Sequence, residues 1–108
     1  MEALEILIKA RAKIAHPEGW GKGRRKWDRG VQTCCAAEAI EDSDPCGYEI
    51  HYSERKRASR ALMHAAGLDR AALITGWNDN PGRTHSEVLA AFDLAIAMLK
   101  LRLNCTHQ

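Results

Sequence analysis

Apolar positions recur along this chain at three- and four-residue steps and nowhere alternate over a strand length, so the pattern predicts helices alone. Residues 2–15 set Leu4, Leu7, Ile8, Ile14 and Ala15 on one face against Glu2, Glu5, Lys9 and Lys13, and Pro17 ends the run. Residues 33–41 form a short helix of small and apolar residues, with Thr33 available as its cap. Residues 53–66 turn Ala58, Leu62 and Ala65 inward and Arg55, Lys56, Arg57 and Arg60 outward, and Gly67-Leu68 has the composition of a Schellman ending. Asp69 is placed to cap a short helix over 70–75, with Leu68 and Leu73 as its hydrophobic staple. The longest helix covers 85–103, where Val88, Phe92, Ala95, Leu99 and Leu103 repeat with Leu89 and Ile96 beside them. Residues 104–108 read as a frayed tail. The expectation is an all-α, small single-domain bundle over 1–108: four main helices plus one short helix, two ordered loops and no sheet.

Between the helices lie two loops and one dense polar stretch. Residues 16–33 carry glycines at 19, 21, 23 and 30 together with Trp20 and Trp27. Large aromatics in such a loop pin it onto the helices by burying area, or stand out as a platform for stacking. Residues 42–52 form the second loop, with Asp44-Pro45 and Gly47 as turn signals. Residues 76–88 concentrate Trp77, Asn78, Asp79, the turn Asn80-Pro81-Gly82, Arg83 and a helix start. Pro81 presets a turn and Gly82 tolerates positive φ after it. Thr84 and Glu87 have capping-box spacing. Trp77 reads as a core residue, Asn78 and Asp79 as partners for turn amides, and Arg83 as either an apolar-edge cover or an anion-binding fork beside the helix start.

Composition changes this picture in three ways. The 45% hydrophobic content contains much alanine, which suits closely packed helices. No apolar run reaches about eighteen residues and no leader pattern opens the chain, which points to a cytoplasmic protein without a membrane span. Cys34, Cys35, Cys46 and Cys105 are then expected as thiols rather than disulfides. The net charge of +2 is small but unevenly distributed. Lys22, Arg24, Arg25, Lys26 and Arg29 stand close together, and Glu38, Glu41, Asp42, Asp44 and Glu49 follow. The two groups can simply attract each other. Nucleic acid remains a possible partner of the basic residues, although the near-neutral total argues against strong phosphate binding.

Three segments taken in order resemble a family of small bacterial and phage hypothetical proteins of uncharacterised role. They are Gly19-Trp20-x-x-Gly23, Cys35-Ala36-x-x-Ala39-Ile40, and Trp77-Asn78-Asp79-x-Pro81-Gly82-Arg83-Thr84-x-x-Glu87-Val88. The resemblance transfers no activity. It implies that Trp20, Cys35, Asn78, Asp79 and Arg83 belong to one constellation. It also implies a small residue where this chain has Glu38, so a looser helix contact is expected there.

Two chemistries are weighed against plain architecture. Cys35 in the opening turn of a helix, His85 as base and Asn78 or Asp79 as orienting group would make a cysteine-dependent hydrolase. Cys34, Cys35, Cys46 and His51 could surround zinc, but the spacing contains no C-x-x-C pair. The leading expectation is a phage- or prophage-type, non-catalytic binding module of the cytoplasm, without cofactor or metal, that sequesters or inhibits a protein or a small anionic ligand. Its candidate binding residues are Trp77, Asn78, Asp79 and Arg83 in one cluster, and Trp20, Lys22, Arg24, Arg25, Lys26 and Trp27 in the basic loop. The oligomeric state is not specified by the sequence.

Overall fold

The computed structural model describes residues 2–23, 26–28, 30–43, 52–70 and 73–106. Arg24, Arg25, Arg29, the turn at Asp44-Pro45 and Gly47, Cys46 and His51 lie outside the described residues. The chain forms an all-α domain of helices α1 (Ala3–Lys13), α2 (Ala36–Asp42), α3 (Tyr52–Ala65), α4 (Ile74–Asp79) and α5 (His85–Thr106). α1 packs against α2, α3 and α5, and α3 packs along α5. Ile6, Leu7, Ile14, Ile40, Leu62, Val88 and Phe92 are fully buried, and Ala10, Ala36, Ala39, Ala58 and Ala95 fill the spaces between them. Alanine at these positions lets the helix backbones approach closely, which is how a chain poor in aromatics fills its interior.

The helix ends show which local signals acted. The Thr84–Glu87 capping box forms: Glu87 N–H donates to Thr84 Oγ1 at 3.2 Å and Thr84 N–H donates to Glu87 Oε1 at 2.9 Å. The Schellman ending of α3 also forms, with Gly67 at φ 77°, Leu68 N–H on the Met63 carbonyl at 2.9 Å and Gly67 N–H on the His64 carbonyl at 3.1 Å. α5 runs three residues past the expected end, so Asn104 to Thr106 are helical rather than frayed. The turn at Pro81-Gly82 closes through Arg83 N–H on the Asn80 carbonyl at 2.9 Å, without the positive φ that Gly82 was expected to provide.

Two caps differ from expectation. Thr33 does not start α2. It belongs to a hairpin, where Thr33 N–H donates to the Lys26 carbonyl at 2.8 Å and Lys26 N–H donates to Thr33 Oγ1 at 3.0 Å. Cys35 takes the cap instead: its Sγ accepts from Glu38 N–H at 3.5 Å, and the Glu38 carboxylate accepts from Cys35 N–H at 3.0 Å. Glu38 therefore serves as a cap, and the helix contact is not opened, since Ala36 and Ala39 are fully buried. The short helix runs over Ile74–Asp79, past the expected end at residue 75, with Leu73 at its N-cap and no side-chain cap bond; residues 71 and 72 of the expected span lie outside the described residues. Ile74 and Asn78 are its buried residues.

Within the first loop, Trp27–Asp28 (β1) and Val31–Gln32 (β2) pair antiparallel, Trp27 with Gln32 and Asp28 with Val31. Gly30 at φ 79° closes the two-residue connection. Strands of two residues are too short for alternation to reveal, so the sheet-free expectation misses this small ladder inside an otherwise helical fold.

The cap at α5 makes stability depend on pH. The Thr84 N–H and hydroxyl favour the charged form of Glu87, which lowers its pKa below the ordinary carboxylate value. A lowered folded pKa adds stability above the unfolded value, near pH 4.3, and that stability is lost as pH falls through the folded one. Glu87→Gln keeps the capping geometry without the charge. Denaturation of both proteins across pH should show a wild-type advantage at neutral pH that shrinks on acidification below about pH 4.3.

Candidate partner-binding site

Asn78 is fully buried on α4, and all four of its side-chain hydrogen-bonding positions are used. Its Oδ1 accepts from Trp20 Nε1–H at 2.7 Å and from Ala36 N–H, at the first position of α2, at 3.1 Å. Its Nδ2 donates to the Gly21 carbonyl at 3.0 Å and to Asp79 Oδ1 at 3.0 Å. Asp79 Oδ1 in turn accepts from Gly23 N–H at 2.8 Å. One amide thus ties the loop, the start of α2 and the short helix together. The loop is also held along its backbone, where Gly21 N–H donates to the Cys34 carbonyl at 3.1 Å and Cys34 N–H to the Gly19 carbonyl at 2.9 Å.

Three further contacts close around this clasp. Lys22 Nζ donates to the Pro81 carbonyl at 3.0 Å and lies 5.9 Å from the Trp20 ring centroid, within cation–π range. The rings of Trp20 and His85 meet at 5.7 Å. His85 Nε2 donates to the Ile14 carbonyl at 2.6 Å, which places a proton on that nitrogen. Arg83 lies 4.4 Å above the Trp77 ring, its Nε donates to the Trp77 carbonyl at 2.9 Å, and its Nη1 reaches Glu87 at 3.3 Å. Of the constellation implied by the resemblance, Trp20, Asn78 and Asp79 are joined directly, whereas Cys35 bonds Glu38 as a cap and Arg83 bonds the Trp77 carbonyl and Glu87.

These contacts point the candidate residues inward. Trp77 is half-buried against the core. The Glu87 carboxylate already occupies the Thr84 amide at the start of α5 and the Arg83 guanidinium, so the end of this helix carries its own anion. Cys35 is buried and caps α2. Burial pushes its thiol above the ordinary range, and the Glu38 carboxylate adds to this against the lowering effect of the Glu38 and Ala37 N–H groups. A neutral thiol is a poor nucleophile. Among the described residues no group of three or more His, Cys, Asp or Glu side chains could hold a metal.

Trp27 behaves differently. It is 71% exposed on β1, beside the exposed Lys26. Of the two tryptophans, Trp20 pins the loop, while Trp27 is mostly in solvent. Gly21, Gly23 and Ala36 act through backbone groups and leave no side-chain signature in the sequence. At the other end of α1, a cleft of about 340 Å³ opens among Leu4, Glu54, Arg57, Leu99 and Arg102. Its Glu54 accepts from Ala3 N–H at 3.0 Å and pairs with Arg57 at 3.5 Å.

Fold and site define a small all-α domain in which a buried asparagine clasps a basic, tryptophan-bearing hairpin. The chain belongs to the Family of unknown function (DUF6197), whose profile matches residues 1–98. No curated protein and no solved structure matches it. Among the described residues no helix is long and apolar enough to cross a membrane.

The clasp predicts a specific cost. Asn78→Leu fills the volume but leaves the Trp20 indole N–H, the Ala36 N–H and the Gly21 carbonyl without their partner. Chemical denaturation should show a loss of about 2–4 kcal/mol, set by the stranded buried groups. Asn78→Asp keeps the acceptors, loses the donor to Gly21 and sets a charge beside Asp79, so it should also destabilise, most strongly at neutral pH.

Proposed function

We propose that this protein is a non-catalytic binding module that captures an acidic partner protein through the hairpin over residues 20–33, sequestering or inhibiting it. The observation that carries this reading is Trp27, an indole 71% exposed on a loop whose base is clasped by Asn78 and Asp79. Tryptophan and arginine dominate binding hot spots. Lys22, Arg24, Arg25, Lys26 and Arg29 give the same segment its charge, which favours acidic surfaces and speeds encounter. Asn78, Asp79 and Trp20 support the hairpin from beneath in this reading, and Trp77 and Arg83 brace the start of α5. A small anionic ligand would use the same charges without needing the indole. In this reading the module is phage- or prophage-encoded and acts in the cytoplasm of a bacterial host.

The cysteine-hydrolase alternative has less support. Cys35 is spent on capping, its thiol pKa is raised by burial, and His85 gives a ring proton to Ile14.

Capture tests the proposal. The immobilised chain, challenged with bacterial extract, should retain a protein that elutes as salt rises, because exposed charges are screened within about 8 Å at physiological ionic strength. Trp27→Ala and Lys26→Glu, both on the exposed hairpin and both expected to fold, should lose it by at least about tenfold. Equal retention by wild type and both variants would remove the hairpin as the binding element.

A further inference from the structure

α5 is apolar on two opposite faces. Val88, Phe92, Ala95 and Leu99 turn into the core. On the far side, Leu94 is 50% exposed and Leu101 is 64% exposed, with Ala90 and Ala97 exposed between and before them. These four positions follow the four-three-four spacing of a coiled-coil seam and fall within about 60° of one another around the helix. A contiguous exposed apolar stripe bordered by charged residues marks an interaction surface.

The stripe is complementary to itself. We propose that two copies of this chain pair antiparallel through the outer face of α5, about a two-fold axis passing between Ala95 and Ile96. In that register Leu94 meets Ala97 of the second copy, and Ala90 meets Leu101 of the second copy. Each layer then sets a large side chain against a small one, which lets the helices approach closely. The flanking charges agree with the same register. Asp93 and Lys100 border the stripe on one side, and reversal about the axis brings Asp93 next to Lys100 of the second copy. Asp93 already pairs with Arg11 on its own chain, so the contact extends an existing ion pair. A parallel pairing in register would instead set Leu94 against Leu94 and carry Asp93 and Lys100 of the second copy to opposite flanks of the seam, out of each other's reach. The symmetric solution is an isologous two-fold interface, the commonest form for identical chains.

This arrangement has a consequence for the hairpins. His85, which touches Trp20, lies about ten residues from the axis, or roughly 16 Å at the helical rise, so the two hairpins stand about 30 Å apart at opposite ends of the α5 pair. A dimer therefore presents two binding segments.

Sedimentation equilibrium on the full chain tests the pairing. Wild type should associate to a dimer as concentration rises towards about 1 mM, and Leu94→Glu or Leu101→Glu should weaken association by at least about tenfold while leaving the thermal melt of the monomer intact. Asp93→Lys should weaken it, and Asp93→Lys combined with Lys100→Asp should restore it. A wild-type chain that stays monomeric throughout, or a dimer unaffected by Leu94→Glu, would overturn the proposal. Equal association of the single and double charge reversals would overturn the antiparallel register.

Discussion

The structure depends on where one carboxamide sits. Asn78 is buried on a six-residue helix that has no side-chain cap of its own, and an isolated helix of that length does not persist in water. What keeps it in place is the reciprocal demand of buried polar groups. The Trp20 indole, the Ala36 amide and the Gly21 carbonyl each need a partner, and the Asn78 amide supplies two acceptor and two donor positions at once. The arrangement is cooperative because any departure strands several groups together. Through it the first loop acquires a fixed base, α2 a fixed start, and α4 a reason to exist.

This constraint explains why some of the fold was legible in the sequence and some was not. The capping box at Thr84 and Glu87 and the Schellman ending at Gly67 and Leu68 are read correctly because their chemistry is confined to a few neighbouring residues. The core stripe of α5 is legible for the same reason, as helical periodicity is a local property. The short helix reaches Asp79, four residues past its expected end, where the tertiary burial of Asn78 leaves no local signal to read. The start of α2 moves from Thr33 to Cys35 because Thr33 is recruited by Lys26 across a two-residue ladder that periodicity does not register. Cysteine is not among the common capping residues, so its role at Cys35 carries no sequence signal.

Site reading divides along the same line. The polar richness around residues 77–85 was legible, but its direction was not, since a dense run of Trp, Asn, Asp and Arg looks alike whether it faces a ligand or its own backbone. The contacts of Trp20 with Asn78 and of Asn78 with Ala36 span 58 and 42 residues, beyond any spacing rule. Once these groups are satisfied internally, the apolar surfaces left exposed include ones that local patterning treats as ordinary. One is the hairpin bearing Trp27, and the other is the outer stripe of α5. Both place apolar surface in water, where burial by a partner would gain most.

The claim that the asparagine clasp holds the first loop to the helical body is tested most directly by hydrogen exchange on the unmodified protein. The Trp20 indole N–H and the Ala36 amide should exchange only with global unfolding, sharing the protection of core amides such as Phe92 despite lying at a loop and at a helix start. Exchange of the indole and of Ala36 through an opening much easier than that of Phe92 would contradict the account, since the loop would then separate from a body that stays folded without it.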